Sequence, residues 1–367
     1  MKFLYIANTS WYIYNFRKNL LLYLKGLGHE IYVLAPHDSY SSRIEKLGIK
    51  YIPIELNRKS KNVIIDLFFL NSLIKEIKRI NPQIIHLFTI KPVIYGSIAA
   101  RICKIEKIFC SIPGLGYMFN RSYIFQFPVK LFYYLSLKSS KIQVIFQNPD
   151  DKLLFESSNL VSKNKSYLIL GSGIDVNFFI SSYKKNNNKL KFGLFSRMIK
   201  EKGVVEFISA AKIINKKYNN CDFILVGDVD LDNPSALSKS WLKKRCGSLI
   251  HWFGHIDDVK SIMDETDVVV LPTYYKEGLP KSLLEGASLG KALLATNIPG
   301  CKEIVKNNIN GKLIRPKSIK ELSNAMEWYI NNIEKIKSFG IESRKLVIRN
   351  FSDEIIIEQT CKLYFNT

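Results

Sequence analysis

Along the chain, short apolar runs alternate with longer stretches whose apolar residues recur at helical spacing. Residues 2–7 (KFLYIA) are an apolar run, 16–27 carry a helical pattern, and 30–35 are apolar again. The pattern continues with a helix over 63–80 and strands over 84–88, 107–111 and 144–147. Runs of this kind are strands buried on both faces, and the segments between them are crossover helices, so the pattern predicts βαβ units. A polar break at 181–189, containing Asn186, Asn187 and Asn188, interrupts it. It then resumes with a strand at 190–195, a helix at 204–217 and strands at 222–227, 250–254 and 268–272. A helix at 282–289 and a strand at 291–296 follow. Near the end, Ser352 and the pair Asp353-Glu354 are the capping residues of a terminal helix.

The expected fold is α/β: two tandem Rossmann-like, doubly wound domains facing across a cleft. Their boundaries are read as 1–180 and 181–345, with a C-terminal helix in 346–367 that can pack back towards the N-terminal domain. Ligands of such sheets bind outside the carboxyl ends of the strands, so the cleft is the expected site.

Composition sharpens this picture. A chain of 367 residues with 47% hydrophobic content can bury two cores. The net charge of +22 favours acidic partners: nucleotide phosphates, nucleic acid or an anionic membrane face. Residues 1–180 hold 24 basic and 11 acidic side chains, so the N-terminal half is the more basic. It carries no recognisable nucleic-acid motif, and nucleic acid is not expected as a partner. The six cysteines form no CxxC pair, which points to reduced thiols rather than a zinc site or a disulfide framework. No apolar stretch reaches the roughly 18 residues of a spanning helix, and FLYIA falls short of a signal-peptide core. The expected location is cytoplasmic, peripheral on the inner face of the cell membrane. The stretch YMFNRSYIFQFPVKLFYYLSLKSSK (117–141) reads either as a helix lying on an anionic membrane or as a buried helix with exposed lysines.

The segment DVVVLPTYYKEGLPKSLLEGASLGKALLAT (267–296) carries the most chemistry. A buried strand ends at Pro272, a polar turn follows, and a turn beginning at Gly278 feeds a helix. The start of a helix presents unpaired N–H groups and a positive dipole end to a phosphate. Glu277 precedes this cradle, and Glu285 is read two turns further on, on the same face. One carboxylate can accept bonds from sugar hydroxyls and the other can grip a ribose diol.

The segment resembles the Glu–seven residues–Glu motif of the retaining glycosyltransferases of family 4, which have the GT-B fold. Three further stretches resemble that family in order and spacing: GLFSRMIKEKGVVEFISAA, FILVGDVDLDNPSALS and IHWFGHIDDVKSIMDETDVVVLP. WYIYNFRKNLL, HLFTIKPVIYGSIAA and SIPGLGYMF resemble a subgroup acting on lipid-linked sugars in bacterial surface polysaccharide and glycan assembly. The resemblance implies that Arg197 and Lys202 neutralise the leaving diphosphate, that Glu277 meets the donor sugar and that Glu285 holds the ribose. It also implies donor contacts from Gly203, Gly278, Leu279 and Ser282. The nucleobase would lie near Gly254–Ile256, with His255 and Ile256 beside it. The chain departs from the commonest pattern at Gly278-Leu279-Pro280, and SIPGLG lacks a histidine often found there. Lys91 and the loop with Gly114, Gly116 and Tyr117 take that part of the acceptor side. Asn15 and Arg17 are either acceptor-side residues or surface polarity.

The implied activity is transfer of a sugar, with N-acetylhexosamine favoured, from a UDP-sugar to a lipid-diphosphate-linked saccharide, with no cofactor and no metal. Asp228, Asp230 and Asp232 form DxD triplets that read as a polar loop or as a metal site. His86, His251 and His255 lack metal-ligand spacing and read mainly as structural. Rival readings are a UDP-sugar epimerase or phosphorylase of the same architecture, and a non-catalytic UDP-sugar-binding protein.

Overall fold

All pairings between the named strands are parallel. The computed structural model describes residues 1–57, 62–115, 123–182, 189–231 and 233–366. They form two units, Met1–Gly173 with Asp353–Thr367, and Ile174–Ser352.

The first unit is a seven-stranded sheet of order β3-β2-β1-β4-β5-β6-β7. Its strands are β1 (Lys2–Ile6), β2 (Glu30–Ala35), β3 (Lys50–Pro53), β4 (Ile84–Phe88), β5 (Lys107–Ile112), β6 (Ile142–Phe146) and β7 (Ser166–Leu168). Every residue of β4 is buried, which is why its sequence, IIHLF, shows no alternation. The helices are α1 (Ser10–Gly26), α2 (Ser41–Lys46), α3 (Val63–Ile80), α4 (Ile90–Ile102), α5 (Tyr123–Leu137) and α6 (Pro149–Ser157), joined by the terminal α14 (Asp353–Asn366). Two cores sandwich the sheet. Leu4 and Ile6 pack with α3, α4 and α5 on one face. Phe3 and Tyr5 pack with α1, α2 and α14 on the other. The period-two alternation within β1 thus feeds two different cores.

The second unit has six strands in the order β10-β9-β8-β11-β12-β13. These are β8 (Leu190–Phe195), β9 (Cys221–Val226), β10 (Ile250–Trp252), β11 (Val268–Leu271), β12 (Ala292–Thr296) and β13 (Gly311–Ile314). Between and after them run α7 (Val204–Asn215), α8 (Lys239–Cys246), α9 (Val259–Asp264), α10 (Lys281–Ser288), α11 (Cys301–Ile304), α12 (Ile319–Asn331) and α13 (Ile333–Asn350). Strand order reverses between β8 and β11, and a switch point of this kind is where doubly wound sheets open a ligand crevice.

Three boundaries differ from the sequence reading. The helix expected from residue 16 starts at Ser10, where Thr9 accepts a bond from the amide of Tyr12 as an N-cap. The unit boundary falls at Gly173–Ile174, ahead of the polar break. The terminal segment is not one helix from 346: α13 runs to Asn350, and a break at Phe351–Ser352 precedes α14. All six cysteines are free thiols. Among the described residues, no helix is long and apolar enough to cross a membrane.

Candidate functional site

Two loops flank the switch point of the second unit. After β8 the chain passes through Arg197 into a 3-10 turn, Lys200–Lys202, and then through Gly203 into α7. Gly203 has φ +78°, and a Cβ there would stand 2.2 Å from the carbonyl oxygen of Pro272, the residue that follows β11. Glycine therefore lets the start of α7 close against the end of β11. The amides of Tyr274 and Tyr275 both donate to the Glu201 carbonyl, at 2.8 and 3.2 Å, and join the two loops.

This junction brings Lys202 to Glu277. The Lys202 ammonium is ion-paired with Oε1 of Glu277, and the two side chains are only 13% and 11% exposed. The ammonium also lies 5.4 Å from the centre of the Tyr275 ring. Thr273 places its Oγ1 3.3 Å from the same Glu277 oxygen and 2.9 Å from the Glu201 carbonyl. A third loop, after β12, supports the arrangement from behind. Gly300, at φ +89°, presses so closely that a Cβ would meet the Gly278 carbonyl oxygen at 2.2 Å.

Glu277 and Glu285 do not share a helix face. Pro280, in extended conformation, begins α10, so Glu277 stays in the preceding loop and Glu285 lies one turn into the helix. Pro280 has no polar side chain to cap α10, and the first-turn N–H groups and dipole of the helix favour an anion. Gly278 and Leu279 are buried and Ser282 is half-buried at this helix start. Glu285 Oε1 is 3.6 Å from Lys281 Nζ. Burial pushes the Glu285 carboxyl above its ordinary range, and Lys281 opposes that shift.

Arg197 pairs with a different carboxylate from Lys202. Its half-exposed guanidinium binds Asp230 at 2.6 Å. Asp228 accepts the amide of Val229 at 2.7 Å and lies 3.9 Å from Lys239 Nζ. Asp232 lies outside the described residues. Among the described residues, no three His, Cys, Asp or Glu side chains cluster as metal ligands would. His255 is exposed, with Nε2 3.5 Å from Asp257 Oδ1, and Ile256 beside it is half-buried. The Gly254 carbonyl accepts the amide of Gly227 at 2.8 Å, which pins this loop to the one after β9. His251 is exposed on β10. A hollow of about 580 Å³ lined by Lys200, Glu206, Trp241 and Tyr274 adjoins the junction, and neither Lys202 nor Glu277 lines it.

In the first unit the expected acceptor-side residues divide. Asn15 donates to the Trp11 carbonyl at 2.9 Å. Arg17 does not face solvent: it is 5% exposed and stacked 4.6 Å over the Phe88 ring, and its Nε has no hydrogen-bond partner among the described residues. Lys91 pairs with Asp66 at 2.5 Å and donates to the Asn57 carbonyl at 2.9 Å, tying α4 to α3. Gly114 takes φ +121°, and Gly116 and Tyr117 lie outside the described residues. His86 is buried, bonded through Nδ1 to the Tyr364 hydroxyl and through Nε2 to Ser111 Oγ at 2.7 Å. Burial, helped by nearby Arg17, holds its pKa well below the ordinary imidazole value.

The sequence reading missed Thr273, Glu201 and Gly300. Each sits just beyond a strand or in the turn after it, so the rule placing ligands at strand ends would have singled them out.

Known proteins resemble the chain along nearly its whole length. Residues 175–346 match the family of glycosyl transferases group 1, and residues 2–148 match the glycosyl transferase 4-like family. The N,N'-diacetylbacillosaminyl-diphospho-undecaprenol alpha-1,3-N-acetylgalactosaminyltransferase of Campylobacter jejuni is 28% identical, covering 99% of this chain and 98% of that protein. The UDP-Gal:alpha-D-GlcNAc-diphosphoundecaprenol alpha-1,3-galactosyltransferase of Escherichia coli is 27% identical, covering 72% and 70%. Among solved structures, a glycosyltransferase of Rickettsia africae superposes with a TM-score of 0.81 at 21% identity, covering 99% of this chain and 97% of that one. Anabaena HepE, in complex with UDP and glucose, gives 0.83 at 16% identity with both chains fully covered. The fold is GT-B.

Proposed function

The chain belongs to the glycosyl transferases, group 1 in residues 175–346 and 4-like in residues 2–148, and on that premise we propose that it takes a sugar from a UDP-sugar and adds it to a saccharide carried on a lipid diphosphate. The favoured sugar is an N-acetylhexosamine. The near-full-length Campylobacter relative is named as such a transferase on an undecaprenol-linked acceptor, which supports that choice. The observation that carries the site is the shielded Lys202–Glu277 pair set before the uncapped start of α10.

The donor diphosphate lies over that helix start, with Lys202 on its oxygens. Glu277 then shares Lys202 with the phosphate and accepts bonds from donor sugar hydroxyls. Glu285 faces the ribose. Arg197 swings from Asp230 to the diphosphate, a low-cost motion because its present ion pair is solvent-exposed. As the glycosidic bond lengthens, charge builds on the diphosphate and an oxocarbenium-like sugar forms. The two cations and the helix dipole stabilise that charge, so the reading calls for no metal. The acceptor hydroxyl attacks from the leaving-group face and passes its proton to the departing phosphate, with retention of configuration. A lipid-borne acceptor places the enzyme at the cytoplasmic membrane face, where the +22 charge suits anionic headgroups.

The test is a panel of UDP-sugars incubated with short lipid-linked saccharides and read by mass. A single added N-acetylhexosamine is expected. Conversion of the nucleotide sugar with no acceptor present, or no transfer from any UDP-sugar, contradicts the proposal.

A further inference from the structure

Helices α3, α4 and α5 precede the neighbouring parallel strands β4, β5 and β6, so all three point their N-termini towards the same end of the first unit, the carboxyl end of the strands. The middle helix, α4, is largely buried between its neighbours. Lys91 and Tyr95 of α4 bond Asp66 in the first turn of α3, and Arg101 donates to the Leu135 carbonyl of α5. The two outer helices each bury an inner apolar stripe, with Phe69, Leu73 and Ile77 on α3 and Tyr133 and Leu137 on α5.

Both also present an outer apolar stripe to solvent. On α3, Ile64, Leu67 and Phe68 are half or more exposed, with Phe68 at 69%. On α5, Phe127, Phe132 and Leu135 are exposed, with Phe127 at 67%. Scattered exposed apolar residues are ordinary, but apolar groups gathered on both helices that flank α4 mark an interaction surface. On α3 the lysines follow the apolar groups, and on α5 Lys130 lies among them and Lys138 beyond them. Lys75 and Lys78 of α3 begin about 10 Å beyond Phe68 at 1.5 Å per residue. Lys138, just past α5, bonds the Tyr134 hydroxyl and lies 5.1 Å from its ring centre.

We propose that Ile64, Leu67 and Phe68 of α3 and Phe127, Phe132 and Leu135 of α5 form one membrane-docking surface, with these apolar groups entering the acyl boundary and Lys75, Lys78 and Lys138 meeting anionic headgroups. A second copy of the chain is the poorer occupant, because each copy carries +22 and the lysines lie beside the apolar stripe. The inference rests on the acceptor being lipid-borne and names where the enzyme would meet the bilayer.

The test is flotation of the full chain with phosphatidylcholine vesicles, with and without about 30 mol % phosphatidylglycerol. Wild type is expected to float with the anionic vesicles. Phe68→Ser with Phe132→Ser should lower the partition coefficient about tenfold or more. Lys75→Glu with Lys78→Glu should remove the preference for phosphatidylglycerol. Phe68→Trp, a conservative change at an exposed site, should shift its emission to the blue on adding vesicles. Flotation of the double serine variant equal to wild type, or a wild-type dimer that the variant dissolves, overturns the proposal. Transfer to a water-soluble saccharide diphosphate is measured in parallel and should be equal in wild type and the surface variants. If wild type floats as expected but transfers nothing, the proposed activity fails while the surface stands.

Discussion

Lys202 and Glu277 neutralise each other while largely shielded from water, and each holds the other in place where the proposed reaction seats a phosphate and a sugar. Lys202→Ala should lower kcat/KM for transfer on the order of 100-fold, the usual scale for losing one preorganised electrostatic donor. Arg197→Ala should change stability by less than about 1 kcal/mol, because its pair with Asp230 is exposed, yet reduce transfer by a similar order. Urea unfolding beside steady-state rates checks both. Glu285 adds a pH signature. Burial raises its folded pKa above the ordinary value of 4.5, so the fold favours the protonated form. Its contribution is complete below about pH 4 and is lost as the pH rises through the raised value. Glu285→Gln should therefore raise Tm at pH 7, leave it unchanged at pH 4 and weaken UDP binding. Glu277 and Glu285 do not share the expected helix face, but that a helix follows Glu277 was legible. Arg17 was not: a cation in an amphipathic helix reads as solvated, and only the three-dimensional position of Phe88 reveals the ring that covers it.

At the scale of elements, the site depends on turns that close tightly after β8, β11 and β12. Gly203→Ala combines a left-handed backbone with a 2.2 Å approach to the Pro272 carbonyl. It should cost about 1–3 kcal/mol and separate Lys202 from Glu277, which calorimetry and UDP titration would register together. Strand β11 was readable because VVVL is wholly apolar, and β4 because only His86 interrupts its apolar run. Strands β3, β7 and β13 were not, since KYIP, SYL and GKLI mix polar and apolar residues over three or four positions. The start of α10 was set by Pro280, whose extended backbone delays the helix past Glu277 and moves the two glutamates onto different elements.

At the scale of the molecule, the chain returns to its beginning. After the whole of the second unit, α14 packs on the first, with the Tyr364 hydroxyl meeting His86 and lying 3.2 Å from that of Tyr5. A terminal helix was legible from its cap, but its buried partners are separated from it by hundreds of residues and leave no local trace. Truncation after Ser352 should loosen hydrogen-exchange protection in β1 and β4 and leave β8 and β11 protected. His86 is held neutral by burial, so its contribution is complete above about pH 6.5 and is lost as the pH falls through the depressed folded value. His86→Gln should flatten that slope. The loops after β8 and β11, with the start of α10, are proposed to hold a sugar nucleotide for transfer. The most direct test compares UDP affinity by calorimetry and sugar transfer by mass in wild type and Glu277→Gln. Retention of UDP binding within a few-fold, with transfer lower by about 100-fold, is the predicted result. Equal transfer by both proteins would contradict it.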